Sequence, residues 1–196
     1  MKVICNREKL REGLAVTSSV VPTKATKPIL ENVCFVATDG GLELLGTDLE
    51  IAVRYRITDV EVAEPGPIVV PGRVAMEFVR DLSGDSVSLY TRDNVCVIES
   101  GSDVCELVTV DADEFPVIAR FAEQGSISLQ AGSLARLVGQ TAFAAAREPG
   151  RYAMHGILTE LEGDSLRMVA TDGRRLAMGS ISVDSGGAQL EPAIVP

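Results

Sequence analysis

Two six-residue segments carry polar chemistry at matched places in the chain. Thr47-Asp48-Leu49-Glu50-Ile51-Ala52 and Thr171-Asp172-Gly173-Arg174-Arg175-Leu176 lie 124 residues apart. In each, a Thr-Asp pair follows an apolar stretch, and Asp at a turn commonly bonds its own backbone. The second copy alone adds a glycine, which permits close backbone approach, and two arginines, whose planar forks grip carboxylates. A paired acid and base need unlike environments, and repeat-equivalent aspartates give no reason to expect them. The single histidine, His155, falls in a predicted strand and reads as structural. The 196 residues contain no GxSxG nucleophile turn, no GxxxxGK[ST] phosphate loop and no GxGxxG turn. The residues therefore point away from catalysis and call for no cofactor or metal.

The spacing of 124 does not drift. Leu10 matches Leu134, Leu14 matches Val138, and Thr17 matches Thr141. Leu30 matches Met154, Leu42 matches Leu166, and Leu44 matches Met168. A period that long exceeds any solenoid repeat and suits a duplicated domain.

Bulk composition narrows the classes. Hydrophobic residues make up 46% of the chain and charged residues 23%, ordinary values for a domain with a packed core. No stretch approaches the roughly 18 apolar residues that span a bilayer, and Met1-Lys2-Val3-Ile4-Cys5-Asn6-Arg7 does not read as a signal peptide. Cys5, Cys34, Cys96 and Cys105 form no CxxC pair. They read as buried thiols in a reducing compartment, hence a cytoplasmic chain. Net charge is −10. That argues against indiscriminate binding to nucleic acid, but leaves room for DNA if the cations gather on one face.

These residues need elements to hold them. Asn6 is a plausible N-cap for a helix over about 7–20, with Leu10, Leu14 and Thr17 on one face. Strands are expected at Ile29 to Val36, Leu42 to Gly46 and Ile51 to Ile57, with Asp39-Gly40-Gly41 as a turn. A second round follows. Ile68-Val69-Val70-Pro71 is a short strand, and a helix over 72–82 carries Val74, Phe78 and Leu82 as its apolar stripe. Strands then fall near 86–91, 94–99 and 104–110. The first 120 residues thus read as strand–helix–three strands, twice, in the α+β class. Pro116 to Gln124 is a linker candidate. A third round restarts with a strand at 126–129, a helix with Leu134, Val138 and Thr141, and strands from Met154, Leu166 and Arg175. Ile194-Val195-Pro196 matches Val69-Val70-Pro71 with one residue of slippage.

Lys27-Pro28-Ile29-Leu30, Gly46-Thr47-Asp48-Leu49-Glu50, Val70-Pro71, Asp113-Glu114-Phe115-Pro116 and Val169-Ala170-Thr171-Asp172-Gly173-Arg174-Arg175-Leu176-Ala177 occur in that order. Together they resemble the bacterial sliding clamp family, the beta subunit of the replicative DNA polymerase. The resemblance covers the whole chain. It implies a DNA-clamp fold with antiparallel sheets outside and helices lining a channel. It further implies a non-catalytic processivity factor in DNA replication, whose two subunits close a ring around double-stranded DNA. Partners would be the replicative polymerase and clamp loader, docking through short, partly hydrophobic motifs. A rival reading is a short clamp-like regulator that occupies clamp partners without encircling DNA.

Basic residues should then favour helices and the loops beside them. Arg7, Lys9, Arg11, Arg73, Arg80 and Arg136 fall on predicted helices, among Glu8, Glu12, Glu77 and Asp81. Lys24, Lys27, Arg147 and Arg151 fall in the following loops. By resemblance, Lys24, Arg73, Arg147, Arg151 and Tyr152 are the DNA-binding positions. Glu148 and Ala153 depart from the family pattern there. The peptide-docking cleft would comprise Met154, Thr171, Gly173, Arg174, Arg175 and Leu176. Met154 and Leu176 would be its apolar walls, and Arg174, where the family often has His, would sit with Arg175 at the rim. The matching turn in the first repeat, lacking Gly and both Arg, should be structural only.

The resemblance divides the chain into a complete clamp domain over 1–121 and the first half of a second over 122–196. A half-domain should leave one sheet edge unpaired and one apolar helix face uncovered. The chain alone is then expected neither to stay on circular DNA nor to bind clamp-motif peptides at full strength.

Overall fold

Asn6 sets the start of the first helix. Its side-chain oxygen accepts the backbone N–H groups of Glu8 and Lys9 at 2.9 and 3.2 Å, which satisfies two donors that a helix start leaves open. The computed structural model describes residues 1–120, 126–147 and 154–196. The chain falls into two units, Met1–Ala119 and Arg120–Pro196.

In the first unit, β1 (Lys2–Asn6) leads into α1 (Arg7–Ser18), then β2 (Asn32–Thr38), β3 (Gly41–Thr47) and β4 (Ala52–Ile57). After β5 (Val60–Glu64) the order repeats as β6 (Gly66–Pro71), α2 (Gly72–Asp81), β7 (Ser86–Arg92), β8 (Val95–Ser100) and β9 (Asp103–Val108). The strands form two antiparallel sheets, ordered β4-β3-β2-β6 and β5-β1-β7-β8-β9. The opening strand of each round crosses into the other round's sheet. β1 lies beside β7, with Val3 opposite Leu89. β6 lies beside β2, with Val33 opposite Val70. Each round thereby completes the sheet of the other.

One core joins both sheets to both helices. Leu10 and Leu14 of α1, Val79 of α2, Phe35 of β2, Leu44 of β3 and Leu89 of β7 are fully buried in it. Each such side chain contributes about 1.5–3 kcal/mol through burial. α1 and α2 pack against each other. Gly13 faces Tyr55 closely enough that a Cβ there would sit 2.9 Å from the ring. The outer face of the β4-β3-β2-β6 sheet is covered too. Phe115 packs there against Cys34, Leu45 and Val69, with Ile118 alongside. This explains why β3 is buried along its whole length.

The second unit repeats half of that plan. It contains α3 (Ala131–Thr141), β10 (Ile157–Glu162), β11 (Ser165–Thr171), β12 (Leu176–Ser182) and β13 (Ala193–Val195), with sheet order β12-β11-β10-β13. The register carries over. Leu44 faces Tyr55 in the first unit, and Met168 faces Gly179 in the second. Val33 faces Val70, and Ile157 faces Val195, which is the expected single residue of slippage. Thr17 Oγ donates to Gly13 O at 2.7 Å, and Thr141 Oγ donates to Leu137 O at 3.0 Å.

Several elements differ from the sequence expectation. Pro28–Glu31 is a 3-10 turn, so the strand expected from Ile29 begins at Asn32. Pro28 presets the turn, and Asn32 Nδ2 locks it by donating to Pro28 O at 2.9 Å. Strand β5 is not among the strands expected from the sequence. α2 buries Gly72, Ala75 and Val79, and Val74 is 46% exposed. The packing face runs through Gly72 (which lies against Val33 of β2), Ala75 and Val79; of the expected stripe, Leu82 is buried and Phe78 packs on the core, and Val74 alone falls off it. The linker expected from Pro116 begins later, since Ile118 still packs on the sheet.

Among the described residues, the strand expected at 126–129 is reduced to one bridge, Ser128 opposite Asp184. Its counterpart β1 is held between β5 and β7, and β7 has no counterpart within the chain. The sheet ends on β12 and β13, and among the described residues no strand pairs beyond either. The helix face is exposed as expected. Leu10 is fully buried and its counterpart Leu134 is 36% exposed. Met154 and His155 precede β10 rather than lying in a strand.

Candidate functional site

The Thr-Asp turn is built twice with the same bonds. Thr47 Oγ donates to Ile51 O, and Thr171 Oγ donates to Arg175 O, both at 2.7 Å. Leu49 N–H donates to Thr47 Oγ at 2.9 Å, and Gly173 N–H to Thr171 Oγ at 3.1 Å. Asp48 Oδ1 accepts the N–H groups of Glu50 and Ile51 at 2.9 and 2.7 Å. Asp172 Oδ1 accepts those of Arg174 and Arg175, both at 2.9 Å. These amides hold both carboxyls below the usual aspartate range; for Asp48 the Ile51 amide is the largest cause. Thr171 is therefore a turn-former whose hydroxyl is already engaged.

The second turn opens onto a cleft of about 250 Å³. Arg147, Asp172, Gly173, Arg174 and Arg175 line it, with Ala145 and Ala146 as its small side chains. Arg175 is fixed on three sides. Its Nε donates to Asp172 Oδ2 at 3.0 Å, and its Nη2 donates to Phe143 O at 2.8 Å. Its guanidinium also lies 5.6 Å from the centre of the Phe143 ring. Phe143 and Leu176 are 53% and 66% exposed. Met154 is half-buried, and its carbonyl accepts the Ala146 N–H at 2.8 Å. Sequence reasoning missed Phe143, Ala145 and Ala146. An aromatic residue immediately after α3, on a loop that a Thr-Asp-Gly turn must meet, was the available signal.

The structure also sorts the cations. Those on α1 and α2 are largely neutralised within their own helices. Arg11 meets Glu8 at 2.6 Å, Lys9 meets Glu12 at 3.9 Å, Arg73 meets Glu77 at 2.9 Å and Arg80 meets Asp81 at 2.9 Å. Arg7 does not face outward as a lining cation. Its Nη1 donates to Leu82 O at 2.8 Å and ties the start of α1 to the end of α2. Lys24 and Lys27, in the loop after α1, are exposed and make no ion pair among the described residues. The same holds for Arg136 on α3 and Arg147 in the loop after it. Thr23, next to Lys24, and Arg73 line one cleft of about 470 Å³ in the first unit, floored by Val21, Pro22 and Met76. Arg151 and Tyr152, and the departures Glu148 and Ala153, lie outside the described residues.

Duplicated strand–helix–three-strand rounds on antiparallel sheets define a DNA-clamp type of fold. Residues 1–119 match the family model of the DNA polymerase III beta subunit, N-terminal domain, and residues 128–196 match that of its central domain. The beta sliding clamp of Pseudomonas aeruginosa is 34% identical over 197 aligned residues, which cover all of this chain and 54% of that protein. The beta sliding clamp of Escherichia coli K12 is 34% identical, covering 93% of this chain and 50% of that protein. The crystal structure of the DNA polymerase III subunit beta from Pseudomonas aeruginosa superimposes with a TM-score of 0.91 at 33% identity, over all of this chain and 54% of that one. The chain belongs to the bacterial beta sliding clamp family. It spans about half the length of the curated relatives it matches.

Proposed function

We propose that this chain is part of a sliding clamp that tethers the replicative polymerase to double-stranded DNA. Residues 1–121 form its first domain and 122–196 the first half of its second. The protein acts without catalysis, in the cytoplasm, as a ring of two subunits whose helices line the DNA channel. The polymerase and clamp loader dock by short peptides in the cleft beside Gly173.

The observation that carries the reading is the placement of unpaired positive charge. In a chain of net charge −10, cations without carboxylate partners among the described residues stand in the loops after α1 and α3, at Lys24, Lys27 and Arg147. Helix cations paired to neighbours give a weak field, and loop cations give a few salt-dependent phosphate contacts. A ring that must slide needs that balance, because each tight phosphate contact adds friction along with affinity.

The test uses the complete protein on a primed circular template. Replacing Lys24, Lys27 and Arg147 together with alanine should shorten processive synthesis and flatten its salt dependence. Replacing Lys9 and Arg11 should change little. Equal processivity in the two variants would overturn the assignment of the loops to DNA.

A further inference from the structure

We infer that the cleft between the loop after α1 and the start of α2 is a small-molecule site, and that it takes a compact, uncharged aromatic amide. The inference stands on the first unit alone and does not depend on the docking cleft or on the loop cations.

Three separate stretches of chain supply the apolar walls. Val21 and Pro22 follow α1, Pro28 opens the 3-10 turn, and Pro71 and Met76 belong to the end of β6 and to α2. The prolines fix φ along these walls, and Val21 and Met76 rest on the buried core. The cleft is therefore formed in advance, which lowers the ordering cost of binding. Its volume of about 470 Å³ lies within the roughly 300–1,000 Å³ of small-molecule sites, which join an apolar lining to a few polar groups.

Two polar groups in the lining are left open. Thr17, Ser18 and Ser19 are consecutive at the end of α1. Thr17 Oγ donates to Gly13 O and Ser19 Oγ to Val16 O, both at 2.7 Å. Ser18 Oγ is buried between them with no hydrogen-bond partner among the described residues, and Ser18 lines the cleft. A buried hydroxyl without a partner is costly, so a ligand oxygen that accepts from it is favoured. Asn32 also lines the cleft and is buried. Its Nδ2 is committed to Pro28 O and Ile29 O at 2.9 and 3.2 Å, while its Oδ1 accepts nothing among the described residues.

The charged groups of the lining are engaged instead. Arg73 Nε donates to Glu77 at 2.9 Å, and Glu31 Oε1 accepts the Ala25 N–H at 2.9 Å. A phosphate would find the one arginine of this cleft already paired. One hydroxyl donor and one amide oxygen remain. An amide answers both, its carbonyl accepting from Ser18 and its N–H donating to Asn32 Oδ1. The Met76 thioether favours an aromatic body beside that amide.

The experiment is a methyl NMR titration of the chain, labelled at its five methionines, with naphthalene-2-carboxamide. Met76 is the one methionine in the lining, so its signal should move saturably while the others stay in place. The methyl ketone of the same ring keeps the acceptor and loses the donor, and it should bind about five-fold more weakly. Ser18→Ala should weaken amide and ketone alike by a similar factor and leave the ratio between them unchanged. That variant removes a hydroxyl without a partner, so its thermal melt should match or exceed the parent's. Equal binding of amide and ketone would overturn the amide assignment, and unchanged affinity in Ser18→Ala would overturn the role of that hydroxyl. A Met76 signal that stays still, or moves together with all the other methionines, would overturn the site itself. Movement of Met76 with a short DNA duplex and not with the amide would assign the cleft to phosphate and overturn the inference as well.

Discussion

Leu49 and Gly173 hold the same left-handed backbone conformation, with φ of 79° and 84°, at equivalent points of two turns. The hydrogen bonds around them match one for one. The shape of the turn is therefore set by the Thr-Asp pair, and glycine is not required to make it. What glycine changes is the surface above the turn, where Leu49 projects a side chain that is 57% exposed.

A left-handed conformation costs a non-glycine residue roughly 1–2 kcal/mol. Leu49→Gly releases that strain but loses conformational entropy on folding, about 0.5–1 kcal/mol. It should be neutral to slightly stabilising in urea unfolding. Gly173→Ala should cost about 1 kcal/mol. A loss larger for Leu49→Gly than for Gly173→Ala would contradict the shared geometry.

Arg54 ties the end of the first unit to its sheet. It forms an ion pair with Glu43, whose side chain is only 11% exposed, and donates to Ile118 O at 2.9 Å. Arg54→Met leaves that carboxylate without its partner and frees the segment that carries Phe115. The expected loss is about 2–3 kcal/mol, at the low end for buried pairs because Arg54 is itself partly exposed. Limited proteolysis near Ile118 should accelerate in parallel. Unchanged cleavage would mean that Phe115 alone holds the segment.

Acid should weaken the turns in a defined window. Asp48 and Asp172 are held down by backbone amides, and Asp164 by the hydroxyl and amide of Ser185, all below the ordinary 3.8. A depressed folded-state value gives stability that is present above the unfolded value and lost as pH falls through the folded one. Stability should thus hold down to about pH 4 and decline below it. Side-chain carboxyl NMR titration reads the three groups directly, and midpoints at or above 3.8 would refute the assignment.

The thiols should be inert in the folded state. Burial pushes Cys5 and Cys96 up to about 12 and Cys34 up to about 11. Cys105, only half-buried, is raised as well. Iodoacetamide at pH 8 should modify Cys105 first and the other three only after denaturation. Above pH 9 the unfolded chain loses thiol protons that the folded chain keeps. Stability should therefore fall as pH rises through that range. Rapid alkylation of Cys5 in the native protein would show that β1 is not held between β5 and β7.

Sequence reading succeeded where a local rule acts on neighbouring residues. Asn6 as a cap, Asp39-Gly40-Gly41 as a turn and the constant spacing between Thr47 and Thr171 are of this kind. It failed where an outcome depends on a distant partner. The face that α2 buries is chosen by distant partners: Gly72 lies against Val33 of β2, where a Cβ would come within 2.6 Å, and Val74 is left outside. Ile127 and Leu129 read as strand, yet the segment makes a single bridge, because a strand exists only where another pairs with it. The proposed docking cleft divides in the same way. Gly173, Arg174 and Arg175 stood out as a motif, but Phe143 did not.

The amino-acid sequence by itself determined the repeated round of elements, the turn chemistry and the family, because periodicity, capping and motif order are written in residue types at short range. Tertiary structure alone decided which charges are free. Arg7 and Arg175 look like open cations in the sequence and are committed in the fold, to Leu82 O and Phe143 O, while Arg147, assigned to DNA, shares a cleft with Arg174. The reason is that a charge acts through what lies within a few ångströms of it, and those neighbours arrive from segments as far apart as Phe143 and Arg175.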